Sequence, residues 1–406
     1  FSLGSGAPAY TIHRRIYREK AFAGVDGQFS LNDNLYTDTL FMVDEASMIA
    51  NMGLGGTTFG SGCLLDDLVK FVYQGHNDRL LLIGDKAQLP PVGEEESPAL
   101  SASVMEGYGL KVYECDLNEV LRQSQSSGIL YNATLIRQMI THDAVTGLPL
   151  IRFKGFADIV MMPGAELVES LGDSYHHVGM DETMVITRSN KRANIYNNGI
   201  RNMVLDREEE LSSGDMLMIV KNNYFWTEKE KKESGEGSAG AVPAFLANGD
   251  RAKVLRVSNY IELYGFRFAT LLLQLPDYDD YEMQVTGMLD TLQSEAPALT
   301  HEQQEELFRQ VEEDYQHFVP LKADRMKSIR QDAYFNALQI KYAYAVTCHK
   351  AQGGQWAHVY VDQGYMTDDM LTPDYIHWLY TAFTRATDKL FLVNWPKEQT
   401  CEPTDL

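Results

Sequence analysis

Two short hydrophobic runs constrain this chain more than any other feature: Leu40-Phe41-Met42-Val43 and Leu80-Leu81-Leu82-Ile83. Four unbroken apolar residues suit a strand buried on both faces, as in a parallel sheet packed between helices. Acids follow each run almost at once, as Asp44-Glu45 and as Gly84-Asp85. Ligands of open α/β sheets sit at the carboxyl ends of strands, so the pattern predicts an α/β fold and the edge where chemistry belongs.

A second α/β region begins near residue 151. Thr183-Met184-Val185-Ile186-Thr187 predicts a strand, and Arg188-Ser189-Asn190-Lys191-Arg192 opens a helix. Glu228–Gly240, "EKEKKESGEGSAG", is low in complexity and is expected to be a solvated mobile loop. From Asn248 the pattern turns β-like, through "NGDRAKVLRV", "FRFATLLLQL" and "YEMQV", with Asn248-Gly249 as a tight-turn signal. These segments predict a small inserted barrel. Thr300 and Gln303 form a capping box for an acidic helix reaching about His317. Val359-Tyr360-Val361 and Leu390-Phe391-Leu392-Val393 read as strands, and Thr372-Pro373-Asp374 starts a helix between them. A further helical stretch carries Thr384-Arg385.

The 406 residues carry 57 Asp+Glu against 35 Lys+Arg, a formal net charge of −22. Such a surface does not attract a polyanion generally, so any nucleic acid must bind in a locally basic groove. The four cysteines are far apart, without a C-x-x-C pair, which argues against a zinc site or disulfide framework and for a reduced, cytoplasmic setting. No apolar run approaches the roughly 18–20 residues of a membrane span.

Against that acidity, Val346-Thr347-Cys348-His349-Lys350-Ala351-Gln352-Gly353-Gly354-Gln355-Trp356 concentrates donors beside glycines. Thr347, His349 and Lys350 either meet an external anion or cap local carbonyls. Asp44-Glu45 is either a solvated strand end or the pair that holds Mg²⁺ and polarises an attacking water in a nucleotide triphosphatase. In Ile83-Gly84-Asp85-Lys86-Ala87-Gln88-Leu89-Pro90-Pro91-Val92, Gln88 either senses a γ-phosphate with its amide or belongs to a polar turn stopped by two prolines. Arg122, in Leu121-Arg122-Gln123-Ser124, is a surface arginine or an arginine finger. Arg385, in Tyr380-Thr381-Ala382-Phe383-Thr384-Arg385-Ala386, stands among apolar and small residues where an unpartnered guanidinium is rare.

In this order and at these separations, "VDEAS", "GDKAQLPPV", "LRQS", "TCHKAQG" and "YTAFTRA" resemble motifs II to VI of superfamily 1 helicases. "TIHRRIY" at Thr11–Tyr17 resembles the segment after motif Ia in the branch of the RecD-like and Dda-like enzymes, including the exodeoxyribonuclease V alpha subunit. The resemblance runs from about Ala9 to Trp395.

It implies two RecA-like motor domains of the P-loop NTPase type with a small SH3-like β-barrel insertion. The first motor domain would occupy residues 1–150, with a small pin element at about 18–39. The second would occupy 151–245 and 341–406, and the barrel 246–340. ATP and Mg²⁺ are the implied cofactors, with Asp44 on the metal and Glu45, Gln88, Arg122 and Arg385 at the chemistry. Gln352 and Gly353 would lie near the nucleotide. Single-stranded DNA is the implied partner, met by Thr11, His13, Thr347, His349 and Lys350, with translocation 5′→3′ in repair, recombination or replication. Phe29, within "FAGVDGQFS", is either the tip of the pin or a packing residue.

Such enzymes need a P-loop, G-x-x-x-x-G-K-[ST], yet the chain has no Gly-Lys dipeptide. Gly53–Gly60 is glycine-rich but lacks the lysine and follows the Asp-Glu strand, so 53–62 reads as a flexible loop. The expectation is a chain beginning just after motif Ia, with no ATPase activity alone. The alternatives are a RecD-like subunit of a multi-subunit exonuclease and a non-catalytic DNA-binding or scaffold protein.

Overall fold

A computed structural model describes residues 10–21, 28–52, 60–117, 126–141, 147–234, 242–243, 245–367 and 370–401. The chain divides into two units, Phe1–Pro149 with Thr367–Thr381, and Leu150–Met366 with Ala382–Leu406.

The first unit opens with helix α1 (Ile12–Ile16), whose cap Thr11 accepts a hydrogen bond from the Arg14 amide. Strands β1 (Tyr17–Ala21) and β2 (Gln28–Leu31) pair antiparallel within the expected pin region. β3 (Leu40–Val43) and β4 (Arg79–Leu82) pair in parallel, joined through helix α2 (Leu64–Gln74). Leu65, Leu68, Val69 and Val72 of α2 repeat at helical spacing and are buried. Each contributes about 1.5–3 kcal/mol by leaving water. Buried Asp67, on the same helix, accepts from the Tyr17 hydroxyl at 2.7 Å and the Ser61 amide at 2.9 Å, which ties α2 to β1. Burial and that carboxylate push the Tyr17 phenol far above its usual range.

The strands β3 and β4 depart from expectation on one face. Phe41, Val43, Leu80 and Leu82 pack on the core, while Leu40, Met42, Leu81 and Ile83 stay exposed. Period-two geometry sends alternate side chains to opposite faces, and α2 packs with the core on one of them. Helices α3 (Ala102–Gly107) and α4 (Gly128–Thr141) complete this stretch of chain.

The second unit is built on a five-stranded, wholly parallel sheet. Its strands are β5 (Ile159–Met162), β6 (Thr183–Thr187), β12 (Ala345–Thr347), β13 (Trp356–Asp362) and β14 (Ala386–Val393), in the order β12-β6-β13-β14-β5. Every residue of β6 is buried, as its unbroken apolar run requires. Helix α5 (Leu167–His177) follows β5, and α6 (Asn190–Gly199) follows β6 with Ser189 capping the Arg192 amide.

Between these strands runs a closed five-stranded barrel of β7 (Met216–Ile219), β8 (Arg251–Leu263), β9 (Phe266–Leu275), β10 (Tyr281–Met288) and β11 (Leu338–Tyr342). Its first strand lies well before residue 246 and its last runs past 340, so the barrel is wider than the expected insertion. β7, Met216-Leu217-Met218-Ile219, is a short apolar run without β-alternation, which is why it reads as part of the surrounding α/β region, whereas β11, Leu338-Gln339-Ile340-Lys341-Tyr342, alternates and crosses the expected boundary at 340.

The stretch Glu228–Ser234 is helical, within α7 (Phe225–Ser234), and not the expected loop; residues 235–241 lie outside the described residues. Its Glu and Lys residues suit a helix surface, and Trp226 anchors it through an indole bond to Asn336 O at 2.9 Å. The expected capping box is formed in α8 (His301–Gln316), and α9 (Lys322–Arg330) follows. The chain returns to the sheet through β12, the short helix α10 (Cys348–Ala351) and β13, then α11 (Pro373–Phe383) and β14. No helix among the described residues is long and apolar enough to cross a membrane.

Candidate functional site

In the first unit the parallel pairing of β3 and β4 brings Asp44-Glu45 and Gly84-Asp85 to one edge. The Ala46 amide donates to Ile83 O at 2.8 Å, drawing the turn after Glu45 against the end of β4. Gly84 allows that approach, since a Cβ there would stand 2.9 Å from the Ser47 amide nitrogen. Asp44 is exposed and accepts from the Glu45 amide at 2.9 Å, while Glu45 turns through a left-handed backbone, φ 51°.

The loop after β4 is fixed from two sides. Asp85 accepts from the Ala87 amide at 3.0 Å and from the Tyr380 hydroxyl at 2.7 Å. His377 Nδ1 donates to Ala87 O at 2.9 Å and Gln88 O at 3.1 Å, and the Leu89 amide donates to Thr381 Oγ1 at 2.8 Å. His377, Tyr380 and Thr381 lie on one helix, α11, one turn apart or adjacent. Gln88 itself keeps a buried side-chain oxygen that no donor among the described residues meets. A buried acceptor left unmet costs about 1–3 kcal/mol, and a bound donor such as water would relieve it.

Thr11 and His13 lie on and beside α1. The Thr11 hydroxyl is engaged as the helix cap, and burial lowers the His13 pKa. Phe29 sits within β2 opposite Glu19 and packs against the core. Residues 22–27 between β1 and β2, and Arg122, lie outside the described residues, as do 53–59 of the glycine-rich stretch.

In the second unit Thr347 ends β12 and precedes α10, so the donor cluster stands at the carboxyl edge of the parallel sheet. His349 is exposed, whereas Lys350 is half-buried with its ammonium on Asn248 Oδ1. Gln352 ends the short helix, and Gly353 follows at φ +77°, a conformation that favours glycine. Arg385 is not on a helix: α11 ends at Phe383 and the arginine occupies the turn before β14. It is 5% exposed, with Nη1 on Gly354 O at 3.0 Å and Nη2 on Thr384 Oγ1 at 3.1 Å. Its own carbonyl accepts from the Trp356 amide at 2.9 Å. The "TCHKAQGG" and "FTRA" segments, 31 residues apart at Gly354 and Arg385, are thus one structure.

Several residues of these edges escape sequence reasoning. Buried Asp362 ends β13 and accepts from Arg192 Nε at 2.8 Å, Arg192 Nη2 at 2.6 Å and the Tyr196 hydroxyl at 2.5 Å. Its signal was available, since it follows Val359-Tyr360-Val361 as Asp44 follows its own apolar run. His377 offers no such signal, because a single histidine on a helix does not announce which loop it will meet. Among the described residues no three His, Cys, Asp or Glu side chains form a metal cage.

Parallel pairing in each unit thus carries acids at the carboxyl edge of the first and a donor cluster at the carboxyl edge of the second. Residues 342–393 match the family model of the UvrD-like helicase C-terminal domain, a span that includes both Thr347–Gly353 and Arg385. The uncharacterized protein R530 of Acanthamoeba polyphaga mimivirus is 22% identical over 396 residues, covering 86% of this chain and 74% of its own. Among solved structures, Pif1 helicase from Bacteroides in complex with ADP-AlF3 and ssDNA aligns with a TM-score of 0.44 and 13% identity, over 90% of this chain and 72% of that one. Pif1 helicase from Candida albicans aligns with a TM-score of 0.38 and 15% identity, over 90% and 74%.

Proposed function

We propose that the chain is the DNA-translocating body of an ATP-dependent superfamily 1 DNA helicase, of the RecD-like and Dda-like branch, moving 5′→3′ on single-stranded DNA. The observation that carries this reading is the bond from the buried Arg385 guanidinium to Gly354 O, inside the matched helicase C-terminal segment. It joins a segment that would meet DNA phosphates to an arginine that would face a nucleotide.

ATP with Mg²⁺, when bound, supplies the phosphoanhydride and its counter-charge. The chain's residues fit that pair in part: Mg²⁺ takes few protein carboxylates, and Asp44 is exposed at the strand end where one is needed. Glu45 would orient a water. Gln88 would accept from the same water through its unmet side-chain oxygen. Arg385, and Arg122 outside the described residues, would place positive charge on phosphate oxygens, with Gln352 and Gly353 lining the approach. Thr11, His13, Thr347, His349 and Lys350 would track the DNA backbone.

The chain has no Gly-Lys dipeptide to cradle β- and γ-phosphates, so we propose that it binds single strands without hydrolysing ATP alone. None of its four cysteines forms a disulfide, consistent with a reduced, cytoplasmic setting, and partner subunits of a recombination complex are a compatible assembly.

The test measures binding of a labelled oligothymidylate by anisotropy together with ATP hydrolysis with and without that DNA. Binding without turnover supports the reading. A folded chain that ignores single strands sinks it, and efficient DNA-stimulated hydrolysis overturns the proposed inactivity.

A further inference from the structure

Lys350 has a neighbour that the motif does not contain. Lys341, in barrel strand β11, directs its ammonium to Thr291 O at 3.1 Å and also to Ser294 O. Both lysines are half-buried, and neither has a carboxylate within ion-pair distance among the described residues. That is unusual in a chain with 57 acids and 35 Lys+Arg. Elsewhere in the unit, Arg192, Arg201, Arg207, Arg251 and Arg267 each hold an acid.

Among the described residues the polar groups that meet the two lysines are neutral. Asn248 takes the Lys350 ammonium, and Asn190 and Asn194 of α6 bind backbone carbonyls of the 293–295 loop beside Lys341. Glu295 offers Asn190 its carbonyl, while its exposed side chain makes no ion pair with either lysine. β7 pairs Lys341 with Met218, and the next residue, Ile219, accepts from the Gly249 amide at 2.8 Å and donates to Asp250 O at 2.9 Å, so Asn248 and the Lys350 ammonium on it lie beside the same edge of the barrel. Two cations there without a counter-charge among the described residues are an arrangement that an anion stabilises. An ammonium has three donors: Lys341 uses two on carbonyls, and Lys350 uses one on Asn248, so both retain donors for a ligand.

We infer that Lys341, Lys350 and Asn248 form a phosphate clamp in which the barrel, through Lys341, takes part in gripping the backbone of single-stranded DNA. This rests on the proposed DNA-binding reading and adds to it a residue outside the helicase motifs. The clamp spans β11 of the barrel and α10 at the edge of the parallel sheet. A strand held there is fixed to both elements at once. Lys341 acts as a point charge on the phosphodiester and reads no base.

The test is a salt titration of oligothymidylate binding, using the whole chain. Each phosphate contact on a single strand contributes about 0.7 to the slope of log K against log salt. Lys341→Gln is expected to lower that slope by about one contact, as Lys350→Gln does, while Lys341→Arg keeps it. Lys327→Gln, an exposed site on α9, is expected to leave the slope unchanged. An unchanged slope in Lys341→Gln beside a reduced one in Lys350→Gln overturns the clamp and leaves the DNA-binding reading standing. Failure of the folded unmodified chain to bind at all overturns both. Lysine acetylation footprinting of the unmodified chain needs no variant to fold: DNA is expected to protect Lys341 and Lys350 together, and protection of Lys350 alone overturns the clamp.

Discussion

The Leu89 amide and the Thr381 hydroxyl, 292 residues apart in sequence, meet at 2.8 Å with both residues buried. With His377 on the carbonyls of Ala87 and Gln88 and Tyr380 on Asp85, this makes helix α11 the template for the loop that presents Gln88. The loop contains two prolines and no regular structure, so side chains from elsewhere must meet its backbone groups.

Thr381→Val keeps the shape and removes the acceptor. The buried Leu89 amide then loses that partner, at a cost of about 1–3 kcal/mol. Urea unfolding should show that loss, and hydrogen exchange at the Leu89 amide should accelerate. Unchanged exchange would mean the hydroxyl does not hold the loop.

Tyr380→Phe removes only an oxygen, yet Asp85 loses a 2.7 Å bond from a phenol whose pKa burial and that carboxylate both raise. We expect a smaller destabilisation, about 0.5–1.5 kcal/mol, because Asp85 keeps the Ala87 amide. If Gln88 serves hydrolysis, the same change should affect turnover more than nucleotide affinity in an ATPase-competent form. An effect on affinity alone would count against the loop's proposed role.

Asp215 anchors a dense network in the second unit. Fully buried, it accepts from Arg201 Nε and Nη2 at 3.1 and 3.0 Å, Arg207 Nη1 at 2.7 Å, Tyr344 at 2.8 Å and the Ser212 amide at 2.7 Å. Asp215→Ala strands two guanidinium groups where water is scarce, and removing one partner of a buried pair typically costs about 3–5 kcal/mol. A urea midpoint within error of the unmodified protein would show that the network adds nothing. Adding Arg201→Met should recover part of the loss, since it removes one uncompensated charge.

The parts of this architecture written in local pattern were legible. β6, β9 and the capping box of α8 fall where alternation, unbroken hydrophobicity or Thr300-x-x-Gln303 places them. Barrel closure was not legible, because β7 and β11 gain their identity from pairing with each other across more than a hundred residues. The same limit hid His377 and Lys341. Glu228–Ser234 misled for another reason: polar composition resembles a loop until Trp226 anchors the helix start. Arg385 was found through its motif, but its place in a turn followed from the close fit of Gly354 and Trp356 around it.

The last prediction concerns pH. Burial first, and the Lys350 charge second, lower the Lys341 pKa to about 8. An unfolded lysine titrates near 10.4, so between about 8 and about 10.4 the unfolded chain binds more protons than the folded one. Stability contributed by this group therefore rises with pH across that window and is flat below it, where both states are protonated. Among the described residues Lys341 meets the carbonyls of Thr291 and Ser294 and the charge of Lys350; Asn194 shares the Ser294 carbonyl, Asn248 takes the Lys350 ammonium, and Glu295 is exposed. Comparing unfolding of the unmodified chain with Lys341→Gln from neutral to alkaline pH isolates the effect. The difference should grow in favour of lysine as pH rises through about 8, while DNA affinity falls over the same range as the clamp loses a charge. A stability difference independent of pH would mean Lys341 keeps an ordinary proton affinity.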